Sequence, residues 1–189
     1  MQIVRYASLL AVPWKNGGGL TREILREPLT GRFRWRLSMA EVASSGPFSD
    51  FSGYRRVMTL LEGHGVRLRI DGEARALRAV GEIIEFSGAA RTDCELIDGP
   101  CVDLNLMVDE SLPAPAIQMM GSAALSAGFT LRAPPAGGRL LVVLEGGISL
   151  GSGAGEVRLG RWDTALLEPD DGEVRLAALG ASCRLLVAV

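Results

Sequence analysis

The chain has 189 residues, enough for one large domain or two small fused ones. Its 20 basic and 22 acidic residues leave a net charge of −2 with no basic stripe or tail, which argues against nucleic acid or an anionic membrane surface as the main partner. Hydrophobic residues make up 48% of the chain, enough for a substantial core, yet no apolar run reaches the roughly 18–20 residues that cross a bilayer. Met1 to Leu10 lacks the long apolar stretch of a signal peptide, so the expected location is cytoplasmic.

Rare residue types mark the N-terminal part. Lys15 is the only lysine among the 20 basic residues, Asn16 and Asn105 are the only asparagines, and His64 is the only histidine. Seven aromatic residues lie before position 55: Tyr6, Trp14, Phe33, Trp35, Phe48, Phe51 and Tyr54. Cys94, Cys101 and Cys183 have neither C-x-x-C nor zinc-type spacing and read as reduced, partly buried thiols.

The first cluster along the chain is Pro13-Trp14-Lys15-Asn16-Gly17-Gly18-Gly19, followed by Thr21 and Glu23. Consecutive glycines let the backbone take positive φ and approach a ligand closely, and successive free N–H groups there would form an anion-binding nest. The alternative is a plain flexible loop or a β-bulge. In the next cluster, alternation puts Trp35, Leu37 and Met39 on one strand face and Arg36, Ser38 and Ala40 on the other. If the second face lines a barrel mouth, Arg36 offers a carboxylate fork and Ser38 a hydroxyl; if it faces solvent, Arg36 is ordinary surface. In Ser45 to Arg56, Gly46-Pro47 breaks regular structure, Phe48 and Phe51 plug the loop onto the core, and Ser49 and Arg55 are candidate ligand groups.

Beyond this point the chain reads as short strands between turns. Val66, Leu68 and Ile70 alternate with Arg67, Arg69 and Asp71, and Asp71-Gly72 signals a hairpin. Further turns are expected at Val80-Gly81, Asp98-Gly99, Gly146-Gly147 and Asp171-Gly172, a rhythm that suits a sandwich or barrel. In Asp103-Leu104-Asn105-Leu106-Met107, the polar pair Asp103 and Asn105 shares a strand face with Met107. Such a pair is costly to bury unpaired. It therefore faces a wet pocket or satisfies loop backbone, and Asp103 is also a candidate anchor for Lys15 or Arg36.

An internal repeat relates the two halves. Leu60-Leu61-Glu62-Gly63 returns as Val143-Leu144-Glu145-Gly146, and the Asp71-Gly72-Glu73 turn returns as Ala154-Gly155-Glu156. Each copy closes on an apolar strand, Cys101 to Val108 and Cys183 to Val189. The expected organisation is an N-terminal barrel with a ligand pocket over residues 1–110, a connector over 111–138 with strands near Ile117 to Met120 and Phe129 to Arg132, and a degenerate second copy over 139–189. A hairpin closed by an L-E-G turn, a second turn and a final apolar strand resemble a cupin barrel, so the expected fold class is all-β, a double-stranded β-helix (cupin) present twice in a compact bicupin.

The N-terminal motifs resemble those of the HutD/Ves family: P-W-K-N-G-G-G-x-T-x-E-I at 13–24, W-R-L-S-x-A at 35–40, G-P-F-S-x-F-x-G-x-x-R at 46–56, L-x-G at 61–63 and D-L-N-L-M at 103–107. The resemblance implies a bicupin and, from the HutD branch, a link to bacterial histidine utilisation. There the proposed role is to bind an intermediate such as formylglutamate or urocanate and limit the pathway. The Ves branch is associated with cold and stress response.

Many cupins hold a metal through three histidines and a glutamate, whereas this chain has only His64, in a turn; the expectation is no metal and no cofactor. The favoured reading is a binding module for an acidic small molecule. Lys15, Arg36 and Arg55 supply charge, Asn16, Gly17, Gly18, Thr21, Ser38, Ser49 and Asn105 supply polar contacts, and Trp14 or Trp35 packs on the apolar part. The alternatives are a metal-independent enzyme using Lys15 with Glu23 or Asp103, and an interaction scaffold. The reading admits a homodimer.

Overall fold

The computed structural model describes residues 1–126, 128–134, 137–153 and 155–188. Ala127, Pro135 and Ala136 of the expected connector, Ala154 of the second copy's turn and Val189 at its last strand lie outside the described residues. The chain forms two compact units: one spans Leu9–Ala114, and the other joins Met1–Ser8 to Pro115–Val189.

The first unit holds ten strands: β2 (Val12–Pro13), β3 (Gly19–Glu27), β4 (Trp35–Val42), β5 (Gly46–Pro47), β6 (Tyr54–Glu62), β7 (Val66–Ile70), β8 (Glu73–Leu77), β9 (Ile83–Ser87), β10 (Thr92–Leu96) and β11 (Cys101–Asp109). They build a six-stranded sheet, β2-β3-β4-β11-β6-β9, and a four-stranded sheet, β5-β10-β7-β8. Every pairing is antiparallel. Met58, Leu60, Ile84, Phe86 and Cys101 of the larger sheet pack with Val66, Leu68, Leu77 and Cys94 of the smaller one. Two pleated sheets that each bury one face in a shared core are the stable arrangement for such alternating strands.

The second unit contains β1 (Gln2–Val4), β12 (Ile117–Gly121), the short helix α1 (Ser122–Ser126), β13 (Phe129–Arg132), β14 (Arg139–Glu145), β15 (Ile148–Ser152), β16 (Gly155–Leu159), β17 (Thr164–Leu167), β18 (Glu173–Ala178) and β19 (Arg184–Ala188). Its sheets are β1-β17-β14-β19-β12 and β13-β18-β15-β16. Residues 1–8 are therefore tied to this unit, with β1 paired to β17, and the N-terminal ammonium bonds to Asp171. The strands expected between the repeats are β12 and β13, and both pair within this unit.

The repeat is visible strand by strand. The order β9-β6-β11 matches β17-β14-β19, and β8-β7-β10 matches β16-β15-β18. Both copies carry a bulge at the same place. Leu61 is skipped between the pairs Leu60↔Asp103 and Glu62↔Val102, and Leu144 is skipped between Val143↔Leu185 and Glu145↔Arg184. The glycine that follows has a steric cause: at Gly63 (φ 96°) an added Cβ would meet Pro100 O at 2.6 Å, and at Gly146 (φ 69°) it would meet Ser182 O at 2.1 Å. The repeated L-E-G motif thus records a bulge followed by a close backbone crossing.

These constraints make a contrast. Gly72 also has positive φ, but nothing lies within 4 Å of its would-be Cβ. Gly72→Ala should cost about 1–3 kcal/mol of backbone strain. Gly63→Ala should cost more, because a collision with backbone is added to that strain, and urea denaturation of the two variants measures the difference.

Candidate functional site

The N-terminal unit encloses a cavity of about 870 Å³. Its floor is the inner face of β3, β4, β11 and β6, and strand register dictates which side chains reach it. One row across the sheet is Arg36–Met107–Arg56, the next is Glu23–Ser38–Asn105–Met58, and the third is Thr21–Ala40–Asp103–Leu60. Glu23 is in regular register with Ser38, and a bulge at Ile24 just beyond it sets Leu25 opposite Leu37. Two loops form the rim, one contributing Val12 to Asn16 and the other Pro47, Phe48, Ser49 and Phe51.

The floor is a buried polar relay. Arg56 Nε donates to Asn105 Oδ1 at 3.3 Å, and Asn105 Nδ2 donates to Asp103 Oδ1 at 3.2 Å. Arg56, Asn105 and Asp103 are 5%, 5% and 1% exposed. The Arg56 guanidinium carbon lies 4.9 Å from the ring centre of Phe86, 5.1 Å from Phe48 and 5.4 Å from Phe51, so aromatic faces offset part of its lost hydration. Its Nη groups have no hydrogen-bond acceptor among the described residues. Burial lowers its pKa to about 10, with Asp103 opposing and Arg36 adding to the effect. Burial likewise pushes the Asp103 carboxyl up to about 7, against the Asn105 hydrogen bond and the Arg56 charge. Nearer the mouth, Arg36 Nε donates to Glu23 Oε2 at 2.7 Å.

Of the residues expected to bind a ligand, Trp14, Lys15, Asn16, Thr21, Arg36, Ser38, Ser49 and Asn105 line this one cavity, and the inward face of β4 is the one carrying Arg36 and Ser38. Four others do not line it. Trp35 sits on the opposite face of β4, where its indole N–H donates to Glu27 at 3.2 Å. Arg55 lies on the outer face of β6 and pairs with Glu85 at 3.0 Å. Gly17 and Gly18 are also absent from the lining, and their amides are committed locally. Gly17 N–H donates to Trp14 O at 3.0 Å, and Gly18 N–H donates to Asn16 Oδ1 at 3.0 Å. The expected nest of free amides is therefore not formed. The third glycine has a packing role: a Cβ at Gly19 would meet Glu41 O at 2.3 Å and the Trp14 ring at 3.2 Å. That ring is held over the loop by Nε1–H donating to Thr21 Oγ1 at 2.7 Å.

Of the adjacent pair Arg55 and Arg56, the one that reaches the cavity is Arg56, the residue after the one expected. Periodicity is silent here because β6 is buried on both faces, with Met58 and Leu60 on one and Val57, Thr59 and Leu61 on the other. The usable signal is the eleventh position of the 46–56 motif. Asp103 anchors neither Lys15 nor Arg36; its hydrogen-bond partner is Asn105, and Arg56 supplies the nearby positive charge.

The donor set does not fit the histidine-rich metal site of many cupins. His64 is exposed in the turn between β6 and β7, and among the described residues no three His, Cys, Asp or Glu side chains converge. Cys94, Cys101 and Cys183 are buried and unpaired. Among the described residues no helix is long and apolar enough to cross a membrane.

The two sheets of each unit and their shared topology define an all-β bicupin with a polar cavity in its N-terminal barrel. The HutD family model matches residues 6–186, and the chain belongs to the HutD family. It is 34% identical over 188 residues to an uncharacterized 21.2 kDa protein in the hutC 3′ region of Pseudomonas putida, covering 97% of this chain and 95% of that one. A shorter match, 39% over 97 residues, covers half of this chain and half of protein Ves from Escherichia fergusonii. The solved structure of HutD from Pseudomonas fluorescens SBW25, described for a formate condition, superposes with a TM-score of 0.80 at 29% identity over 100% of this chain and 97% of that one. A cupin 2 conserved barrel domain protein from Leptotrichia buccalis shares the fold, with a TM-score of 0.67 at 12% identity over 100% and 95% of the two chains.

The relay carries a pH signature. The folded-state pKa of Asp103 is raised from 3.8 to about 7, so between about pH 4 and 7 the folded state holds a proton that the unfolded state releases. Asp103 therefore makes stability fall as pH rises through that window. Asp103→Asn should remove this contribution, and unfolding midpoints from pH 4 to 8 should show a flatter profile than wild type.

Proposed function

We propose that the N-terminal barrel is a metal-independent receptor for a small carboxylate, and that it serves histidine utilisation by sensing an acidic intermediate of formylglutamate or urocanate type in a regulatory role. The observation that carries this reading is Arg56: a guanidinium at the floor of a cavity, flanked by three phenylalanine rings, with its Nη groups free of protein acceptors among the described residues. A cation held in this way is preorganised for a carboxylate fork. Arg36 and Lys15 add positive charge toward the mouth, and Glu23 offsets part of it. Trp14, Phe48 and Phe51 supply apolar walls for the remainder of the ligand, the usual mixture in a small-molecule pocket. Membership of the HutD family and the location of the Pseudomonas putida relative beside hutC support the pathway assignment.

Thermal melting with urocanate, formiminoglutamate, formylglutamate and glutamate tests this. A ligand at 100 times its dissociation constant should add about 2.7 kcal/mol of stability. Arg56→Met should abolish the shift, while Arg55→Met, altered on the outer face, should keep it. No shift with any of the four compounds removes the histidine-pathway assignment. Turnover of a bound compound, lost in Lys15→Arg, would instead favour an enzyme built on Lys15 with Glu23 or Asp103.

A further inference from the structure

We propose that an anion seated on Arg56 is bound together with one proton, taken from solvent by Asp103, so that Asp103 sets the pH range over which the cavity accepts its ligand. The inference rests on the reading of Arg56 as the anion seat and adds a linked titration to it.

The geometry carries the argument. Asp103 is 1% exposed, and its hydrogen-bond partner is the Asn105 amide, which bridges it to Arg56. At the cavity floor one buried guanidinium is thus shared with one buried carboxyl through one side chain. A carboxylate ligand on the Nη groups places a second negative charge on the same cation. Two anions sharing one cation repel each other, and the readiest relief is to protonate the buried carboxyl. Ligand binding and proton uptake are then thermodynamically linked, with each favouring the other.

The surrounding groups leave Asp103 as the titrating one. Its register partner on β6 is Leu60; Arg56 lies two rows along the same face, reached through Asn105, and Arg36 on β4 sits in the row of Arg56, across Met107. Glu23 on β3 is held by Arg36 at 2.7 Å, and Lys15 sits on the exposed rim. Cys94 on β10 and Cys101 on β11 feel the Asp103 charge, but burial first and then that charge push both thiols up to about 12, so they stay protonated at neutral pH.

The test uses the whole chain and sodium formate, the smallest carboxylate, which stays ionised throughout. Formate dissociation constants are measured from pH 6 to 8.5 by NMR, from the shifts of the Arg56 Nε–H and the Asn105 and Met107 amides. Wild type should bind formate more weakly at higher pH, approaching tenfold per pH unit above the Asp103 midpoint, the slope of one linked proton. Asp103→Asn, which mimics the protonated carboxyl in shape, should bind formate with a dissociation constant that stays flat across the range. A flat wild-type profile with formate bound overturns the inference and leaves the anion seat intact. Absence of formate binding at every pH overturns both. A wild-type slope that persists in Asp103→Asn also overturns it, because another group then carries the proton.

Discussion

The N-terminal barrel is organised around one buried cation. Arg56 occupies an inward position on a central strand, where an apolar side chain would have closed the core, and the neighbouring residues compensate for its charge. Phe48, Phe51 and Phe86 turn their rings toward it, Asn105 accepts its Nε–H, and Asp103 supplies the nearest opposite charge. Removing one member of such a set strands the others, since a buried charge without its partners costs far more than the pair contributes. The cavity is open above this group and packed below it, where Met58, Leu60 and Leu68 fill the barrel. The floor of the site and the top of the core are the same surface.

The second unit keeps an arginine at the position equivalent to Arg56, Arg139, whose Nη1 donates to Arg132 O at 2.6 Å, but it lacks the polar partners. By shared register, Asp103 and Asn105 correspond to Leu185 and Val187, and both of these lie in the core of their unit. Ala40, opposite Asp103, corresponds to Met120, which is also buried there. Three larger or apolar side chains occupy the space that the first unit leaves to polar groups. The backbone plan is common to both copies, while the side chains on two strands decide whether the inward face there is apolar or polar.

Much of the architecture was legible in the sequence because turns announce themselves chemically. Asp71-Gly72 and Asp98-Gly99 take the positive φ values such pairs favour, and the L-E-G repeat located the equivalent bulges. The site was legible where a strand has one polar face, as at Arg36 and Ser38. It was not legible at Arg55 and Arg56, where both faces of β6 are buried and alternation carries no information about which arginine turns inward. Nor could composition reveal that the amides of Gly17 and Gly18 are already committed to Trp14 and Asn16, because that depends on a turn closing back on itself. The attachment of residues 1–8 to the second unit is a long-range pairing with no local signature.

The bulges at Leu61 and Leu144 have a consequence for how such duplicated barrels diversify. Each inserts a single skipped residue before the inward positions of the last strand, and so sets the reading frame of the interior in both copies. With that frame shared, an exchange of side chains at two or three positions can open a chamber in one copy or seal it in the other while every strand keeps its neighbours. A duplicated chain can thus carry one constant scaffold and one experiment in chemistry, each protected from the mutations that shape the other.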